Sequence, residues 1–259
     1  MNRRRALRDR ALVALVAIVA WQLAALTWGA QWVSPPISTA RRLVELVLGG
    51  DLARHAAFTL LAAAGGCLLG GVPGTVLPLS LRRAPRVTAI LDPYLVAGYG
   101  MPKLALAPLF ILWFGIGLAS KVVLVASLVF FLVLFSTAAG VRAVDGRLVA
   151  MARVVGASEH SIARLVVWPG AVPYVFAGFK ISLPYAIGAA VVGEMISSSR
   201  GLGYLIAAAS QDFDSATVFA TLAALALLVV AAAHLIEVVE RRLLRWRPAR
   251  PMESLVTTA

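Results

Sequence analysis

The chain has 259 residues, of which 61% are hydrophobic and 14% charged, against roughly 45–50% apolar and about 25% charged in soluble domains. A water-soluble globule of this size has no surface for that much apolar area, so composition excludes a soluble fold, intrinsic disorder, a coiled coil and a disulfide scaffold. The 24 Lys and Arg against 12 Asp and Glu give a net charge of +12, yet these cations flank apolar runs instead of interleaving with aromatics, which excludes a nucleic-acid surface.

In chain order, uninterrupted apolar stretches predict six transmembrane helices, at about 11–30, 56–81, 93–119, 122–141, 174–197 and 217–237, each near the about 20 residues a bilayer requires. The expected fold class is therefore an all-α integral membrane protein. The first span follows the basic run Arg3–Arg10 and exceeds the roughly 7–15 apolar residues of a signal-peptide core, so it reads as a retained span. With the N-terminus inside, the segments before residue 11, 82–92, 142–173 and after 237 hold 17 Lys and Arg, and the outer segments 31–55, 120–121 and 198–216 hold five. That bias places both termini in the cytoplasm. The lone Cys67 lies in an apolar run and carries no redox signal.

The second span carries Gly66, Gly70 and Gly74, four residues apart on one helix face, where small residues let another backbone approach. Ordinary bundle packing is the expected reading; the sharper alternative is that Pro73 and Pro78 break the helix into a deformable segment. Pro102, Pro108, Gly115 and Gly117 similarly interrupt the third span, a pattern that favours a transporter over a simple anchor. In the fifth span Lys180 and Glu194 stand fourteen residues apart, about 21 Å along a helix. Either both reach out to the membrane surfaces, or their shared face lines a translocation path.

No phosphate-binding Gly-rich loop with its Lys is present, and His55, His160 and His234 are too scattered for a zinc site. No nucleophile and base are singled out, so the chain reads as no enzyme, with no cofactor and no metal.

The loop 142–173 is the most informative stretch. Residues 147–155 predict a helix, Gly156 its left-handed terminator, Ser158 the N-cap of a second short helix with Glu159 at its positive end, and Pro169 the stop of that helix. This frame resembles the EAA motif of permease subunits of binding-protein-dependent ABC importers: Glu-Ala-Ala, three residues, Gly, nine residues, Ile-x-Leu-Pro. Aligned on Gly156, the motif's first three positions are Ala150, Met151 and Ala152, and its last four are Val166, Val167, Trp168 and Pro169. Ala150 thus replaces the motif's acidic residue. Leu106-Ala-Pro-Leu-Phe-Ile-Leu-Trp-Phe-Gly-Ile-Gly117, Val192-Gly-Glu-Met195 and Gly201-Leu-Gly-Tyr-Leu-Ile206 are similar to the nitrate/sulfonate/taurine branch.

The resemblance implies a type I ABC importer transmembrane domain over 55–240, preceded by a tail, first span and external loop (1–54) and followed by a basic tail (241–259). It implies a bacterial inner-membrane location and a separate ATPase subunit whose groove receives the helices of 148–168. Ala150, Ala152, Gly156, Ala157, Ser158 and Pro169 would shape that contact, with Arg153 and Arg164 pairing with acidic groups of the ATPase. A periplasmic or lipid-anchored binding protein would deliver a small anion such as a sulfonate, taurine or nitrate, and a second permease copy in the lipid would complete the pathway. An ATP-independent secondary transporter or channel is the alternative; it would need more intramembrane charge than Lys180 and Glu194 supply.

Overall fold

A computed structural model of the chain describes residues 3–245, and among them there are helices and no strand. In order these are α1 (Arg3–Trp28), α2 (Pro36–Leu48), α3 (Asp51–Leu81), α4 (Pro85–Gly100), a 3₁₀ turn (Lys103–Leu106), α5 (Ala107–Phe114), α6 (Leu118–Arg142), α7 (Gly146–Val154), α8 (Glu159–Ile162), a π turn (Ala163–Val167), α9 (Trp168–Ile196), α10 (Leu202–Gln211) and α11 (Ser215–Leu243). Of the C-terminal segment 241–259, residues 246–259 lie outside the described part.

Five helical stretches are long and apolar enough to cross a membrane: Arg8–Trp28, α3, α6, Glu159–Ile196 and α11. A sixth crossing is formed only if α4 and Lys103–Phe114 count together, and these are bent by 79°. The third predicted span is thus two pieces, as its Pro and Gly content foreshadows. Its first helix begins at Pro85, so most of the segment 82–92 expected as a loop is helical. Pro102 explains the break, holding Met101 extended, and Lys103 caps the end of α4: its Nζ donates to the carbonyls of Gly98 at 2.6 Å and Tyr99 at 2.5 Å, where carbonyls lack intrahelical donors. The same ammonium lies 4.5 Å from the centre of the Phe131 ring on α6.

The centre of the bundle is α3 against α6 and α6 against α9, with buried Leu124, Val125, Val129 and Val133 of α6 packed on Ala62, Ala186 and Ala190. The glycine stripe of α3 creates that closeness. A Cβ on Gly70 would stand 2.3 Å from the Ala126 carbonyl oxygen, and one on Gly74 2.7 Å from the Phe130 oxygen. The alternative of a proline break is not what forms: α3 runs unbroken through Pro73 and Pro78. The missing proline donors are tolerated because the surrounding bundle holds the backbone in place. Large apolar side chains face outward, Leu227 and Val230 of α11 at 64% and 66% exposure, the inverse of a soluble protein and the arrangement a lipid solvent favours.

The connections gather at two opposite ends. At one, Arg83 from the α3–α4 connection meets Glu159 at 2.7 Å, and Lys180 pairs with Glu240 near the end of α11. At the other, the segments 31–55 and 198–216 are helical where no element was expected. Pro36 opens α2 in the first-turn position that needs no donor, and Arg42 Nε of α2 donates to Thr217 Oγ1 at 2.8 Å.

Asp214 caps α11, its carboxylate accepting from the Thr217 amide at 3.0 Å. Partial burial pushes this carboxyl up, but the Thr217 hydrogen bonds and the Arg42 charge prevail and hold it below the usual carboxylate range. Replacing Asp214 with Ala is expected to cost about 1 kcal/mol. Because the folded pKa is depressed, the contribution exists above about pH 4 and fades as pH falls through the folded value. Thermal melts of wild type and Asp214→Ala at pH 7 and pH 3 check both, the gap narrowing at the lower pH.

Candidate functional site

The loop 142–173 forms the helix–turn–helix its residues predict. Asp145 caps α7, accepting from the Arg147 amide at 2.8 Å. At the other end of α7, Gly156 takes φ +80°, the Gly156 amide bonds the Arg153 carbonyl at 3.0 Å and the Ala157 amide the Ala152 carbonyl at 2.9 Å. This paired closure ends a helix on a left-handed residue, and glycine occupies it without a Cβ penalty. Ser158 then caps α8, its Oγ accepting from the Ser161 amide at 3.2 Å.

The turn presents an apolar surface: Val154 and Val155 are 87% and 82% exposed, Met151 66%, Leu165 72%. Ala150, Gly156, Ser158 and Arg164 are exposed beside them, and Ala152 and Ala157 are half-buried. Met151, Val154 and Val155 lie between the two membrane-crossing stretches α6 and Glu159–Ile196, and an exposed apolar patch of this kind marks an interaction site.

One expectation needs correction, and Arg153 is found with a partner inside the chain. Pro169 does not stop a helix, because α8, the π turn and α9 follow one another without an interruption and Pro169 falls in the first turn of α9. The widened π turn changes the bonding register just before it, so the absent proline donor is not needed. Arg153, expected to reach a partner's acid, is engaged within the chain: its Nε donates to Glu159 at 2.6 Å. That hydrogen bond and the Glu159 charge hold its guanidinium above its usual value.

At the opposite end the structure assembles a buried polar cluster. Glu194, 1% exposed, accepts at one oxygen from Thr59 Oγ1 at 3.0 Å and from the Gly203 amide at 2.9 Å. Thr59 Oγ1 accepts in turn from the Leu202 amide at 2.9 Å, and His55 Nδ1 accepts from the Gly201 amide at 2.9 Å. Lys121, also 1% exposed, donates to the carbonyls of Ser197 at 2.5 Å and Ile116 at 2.7 Å. Gly201 sits at φ +110°, and a Cβ there would stand 2.2 Å from the Glu194 carboxyl carbon. The α9–α10 connection is thus clasped onto the N-terminal turns of α3 and α6. Substituting Gly201 with Ala should therefore eject the Glu194 carboxylate and lower the melting temperature in detergent by several degrees. An unchanged melt would contradict this packing.

Lys180 and Glu194 are not brought onto one open face. Lys180 pairs with Glu240 on α11, whereas Glu194 is enclosed by α3 and α10. Pro184 lies between them. Their surroundings differ because the two ends of α9 pack against different helices. A cavity of about 660 Å³ opens instead between α3, α4 and α6, lined by Leu77, Leu81, Arg82, Asp92, Leu134 and Arg142 among others. Neither Lys180 nor Glu194 lines it.

Sequence reasoning missed Lys121, read as a surface residue, and the partnership of His55 with Thr59. The available signal was their spacing of four, which puts both on one face of α3. The partners, being backbone amides 140 or more residues away, leave no local trace.

With this geometry in hand, comparison with known families is decisive: the profile described as "Binding-protein-dependent transport system inner membrane component" matches residues 66–245. The chain belongs to that family. It is 36% identical over 212 residues, 82% of this chain and 77% of the relative, to the putative aliphatic sulfonates transport permease protein SsuC of Bacillus subtilis. It is 36% identical over 211 residues, 82% of this chain and 79% of the relative, to the riboflavin transport system permease protein RibX of Chloroflexus aurantiacus. To the taurine transport system permease protein TauC of Escherichia coli it is 29% identical, covering 90% of this chain and 87% of that one. Among solved structures, an inward-facing conformation of the MetNI methionine ABC transporter shares the fold, with TM-score 0.60 and 20% identity over 78% of this chain and 97% of that one. The protein is a multi-pass inner-membrane permease subunit of an ABC importer for a small solute, and not an enzyme, ATP hydrolysis belonging to a separate subunit.

Proposed function

We propose that this importer permease carries a small organic or inorganic anion, of the sulfonate, taurine or nitrate class, handed over by an external binding protein. The support is the similarity to sulfonate and taurine permeases. Relatives named for riboflavin and formylaminopyrimidine transport define the second class to be tested. The basic end faces the cytoplasm in this reading, with both termini on that side, in accord with the bias of Lys and Arg.

The observation that carries the mechanism is the exposed apolar turn Met151–Gly156 on a rigid, capped helix pair. We infer that it fills a groove of the ATPase subunit, with Ala150, Ala152, Gly156, Ala157 and Ser158 permitting close approach and Arg164 at its rim. Ser158 and Gly156 fix the angle between the two helices, and the π turn before Pro169 joins the second of them directly to α9. Closure of two ATPase subunits on ATP would displace this turn and rock two permeases between inward- and outward-facing states. In this reading a second copy of this chain completes the pathway, as the resemblance to importer permeases implies. Lys180 and Glu194 act in this reading through the helix pairs they hold, not by touching the solute.

The test is ATP-driven uptake in proteoliposomes holding the permease, its ATPase and its binding protein. Labelled taurine, butanesulfonate and nitrate are offered beside riboflavin. ATP-dependent accumulation of one of the anions and exclusion of riboflavin is the expected result. Accumulation of riboflavin alone would overturn the substrate class, and accumulation without ATP would overturn the importer mechanism.

A further inference from the structure

The carboxylate of Glu159 is held by arginines from two places in the chain. Arg153 of the turn donates to Oε1 at 2.6 Å, and Arg83, at the start of the α3–α4 connection, to Oε2 at 2.7 Å, with Arg82 at 3.7 Å from that same oxygen. Loop 142–173 holds only two acids, Asp145 and Glu159, and Asp145 is occupied as the cap of α7. Glu159 is therefore the loop's attachment to α3. Without it, Arg82, Arg83 and Arg153 would face one another as like charges.

The other end of α3 is fastened by buried groups. His55 and Thr59, in its second and third turns, bind the Gly201 and Leu202 amides, and Thr59 also binds Glu194. The helix that joins these attachments, α3, is unbroken over its 31 residues, about 46 Å end to end. Its middle cannot slide independently of α6, because Gly66, Gly70 and Gly74 bring the two backbones into contact. Energetic coupling between distant sites is carried by rigid secondary elements and by hydrogen-bond and salt-bridge networks such as these.

We propose that α3 carries displacement of the cytoplasmic turn to the external α9–α10 connection, and that Glu159 is the positioning residue that fastens the turn to it. The proposal rests on the importer reading. It assigns α3 a role distinct from α9, which the turn reaches by chain continuity, and it makes the Arg83–Glu159 pair the point at which ATP-driven motion enters the rod. An exposed pair suits this task, since it holds the loop in register and still lets its geometry adjust through the cycle.

The test requires no identified solute. Ser199, exposed in the α9–α10 connection, is changed to Cys in a Cys67→Ser background, and the assembled permease and ATPase are placed in nanodiscs. The rate of maleimide labelling at Ser199→Cys is then measured with no nucleotide and with ATP plus vanadate, next to ATP turnover. In the otherwise native chain ATP plus vanadate is expected to change the labelling rate several-fold. With Glu159→Gln the ATPase still co-purifies and turns over ATP, but the labelling rate no longer responds. Arg83→Gln, which leaves the Arg153–Glu159 bond intact, is expected to do the same, and covers the case in which Glu159→Gln does not assemble. A full labelling response in either assembled variant overturns the proposal, as does a native assembly that hydrolyses ATP with no response at Ser199→Cys. An assembly with no ATP turnover at all instead removes the importer reading beneath it.

Discussion

Glu194→Ala is expected to unfasten the α9–α10 connection and to be the most destabilising polar substitution in the protein. The Gly203 amide and the Thr59 hydroxyl lose their shared carboxylate acceptor, and bonds to a charged group are worth about 1.5–3 kcal/mol each. Lys121, equally buried, keeps its own carbonyl partners at Ile116 and Ser197. The cost falls on the two buried donors left without an acceptor, about 1–3 kcal/mol each. Glu194→Gln keeps an acceptor oxygen for Thr59 and Gly203 and should lose much less. The check is the melting temperature of the detergent-solubilised chain by fluorescence-detected size exclusion. The expected order is wild type, then Gln, then Ala far below. Equal melts for all three would show that the clasp contributes nothing.

Gly70→Leu is the second large effect. A Cβ at this position meets a backbone oxygen at 2.3 Å, and a backbone atom, unlike a side chain, cannot rotate away. The helices α3 and α6 must separate, a form of overpacking that costs roughly 1–3 kcal/mol even in adaptable cores and more where two backbones are in contact. The variant should run as aggregate on size exclusion. Gly188 of α9 supplies the contrast: nothing lies within 4 Å of a Cβ there. Gly188→Ala should be neutral or stabilising, by up to about 1 kcal/mol from helix propensity alone. Equal behaviour of the two variants would contradict the packing assigned to the stripe.

What could be read in advance divides by the range of the interaction. The long spans, the break in the third, the cap at Ser158 and the left-handed Gly156 depend on residues within a few positions of one another, so hydropathy and turn chemistry sufficed. The glycine stripe announced close packing but not its partner, because Ala126 and Phe130 contribute backbone atoms that any sequence would offer. α2 was missed since an amphipathic helix lacks the continuous apolar run that reveals a span, and α10 because its ten residues are too few for one. The largest misplacement was Lys121, whose charge read as a surface mark. Its burial follows from carbonyls of Ile116 and Ser197 that converge only in the folded bundle. Arg153 was read outward for the same reason: Glu159, six residues on, is reached only because the turn at Gly156 folds the chain back.

The central claim, that the turn around Gly156 docks an ATPase subunit, is tested most directly by tagging the chain, extracting it in mild detergent and identifying co-purifying proteins by mass spectrometry. The account predicts recovery of an ATPase with a phosphate-binding loop, and its loss with Gly156→Asp while the variant remains in the membrane at wild-type level. A chain that purifies alone, or an ATPase retained in full by Gly156→Asp, would contradict it.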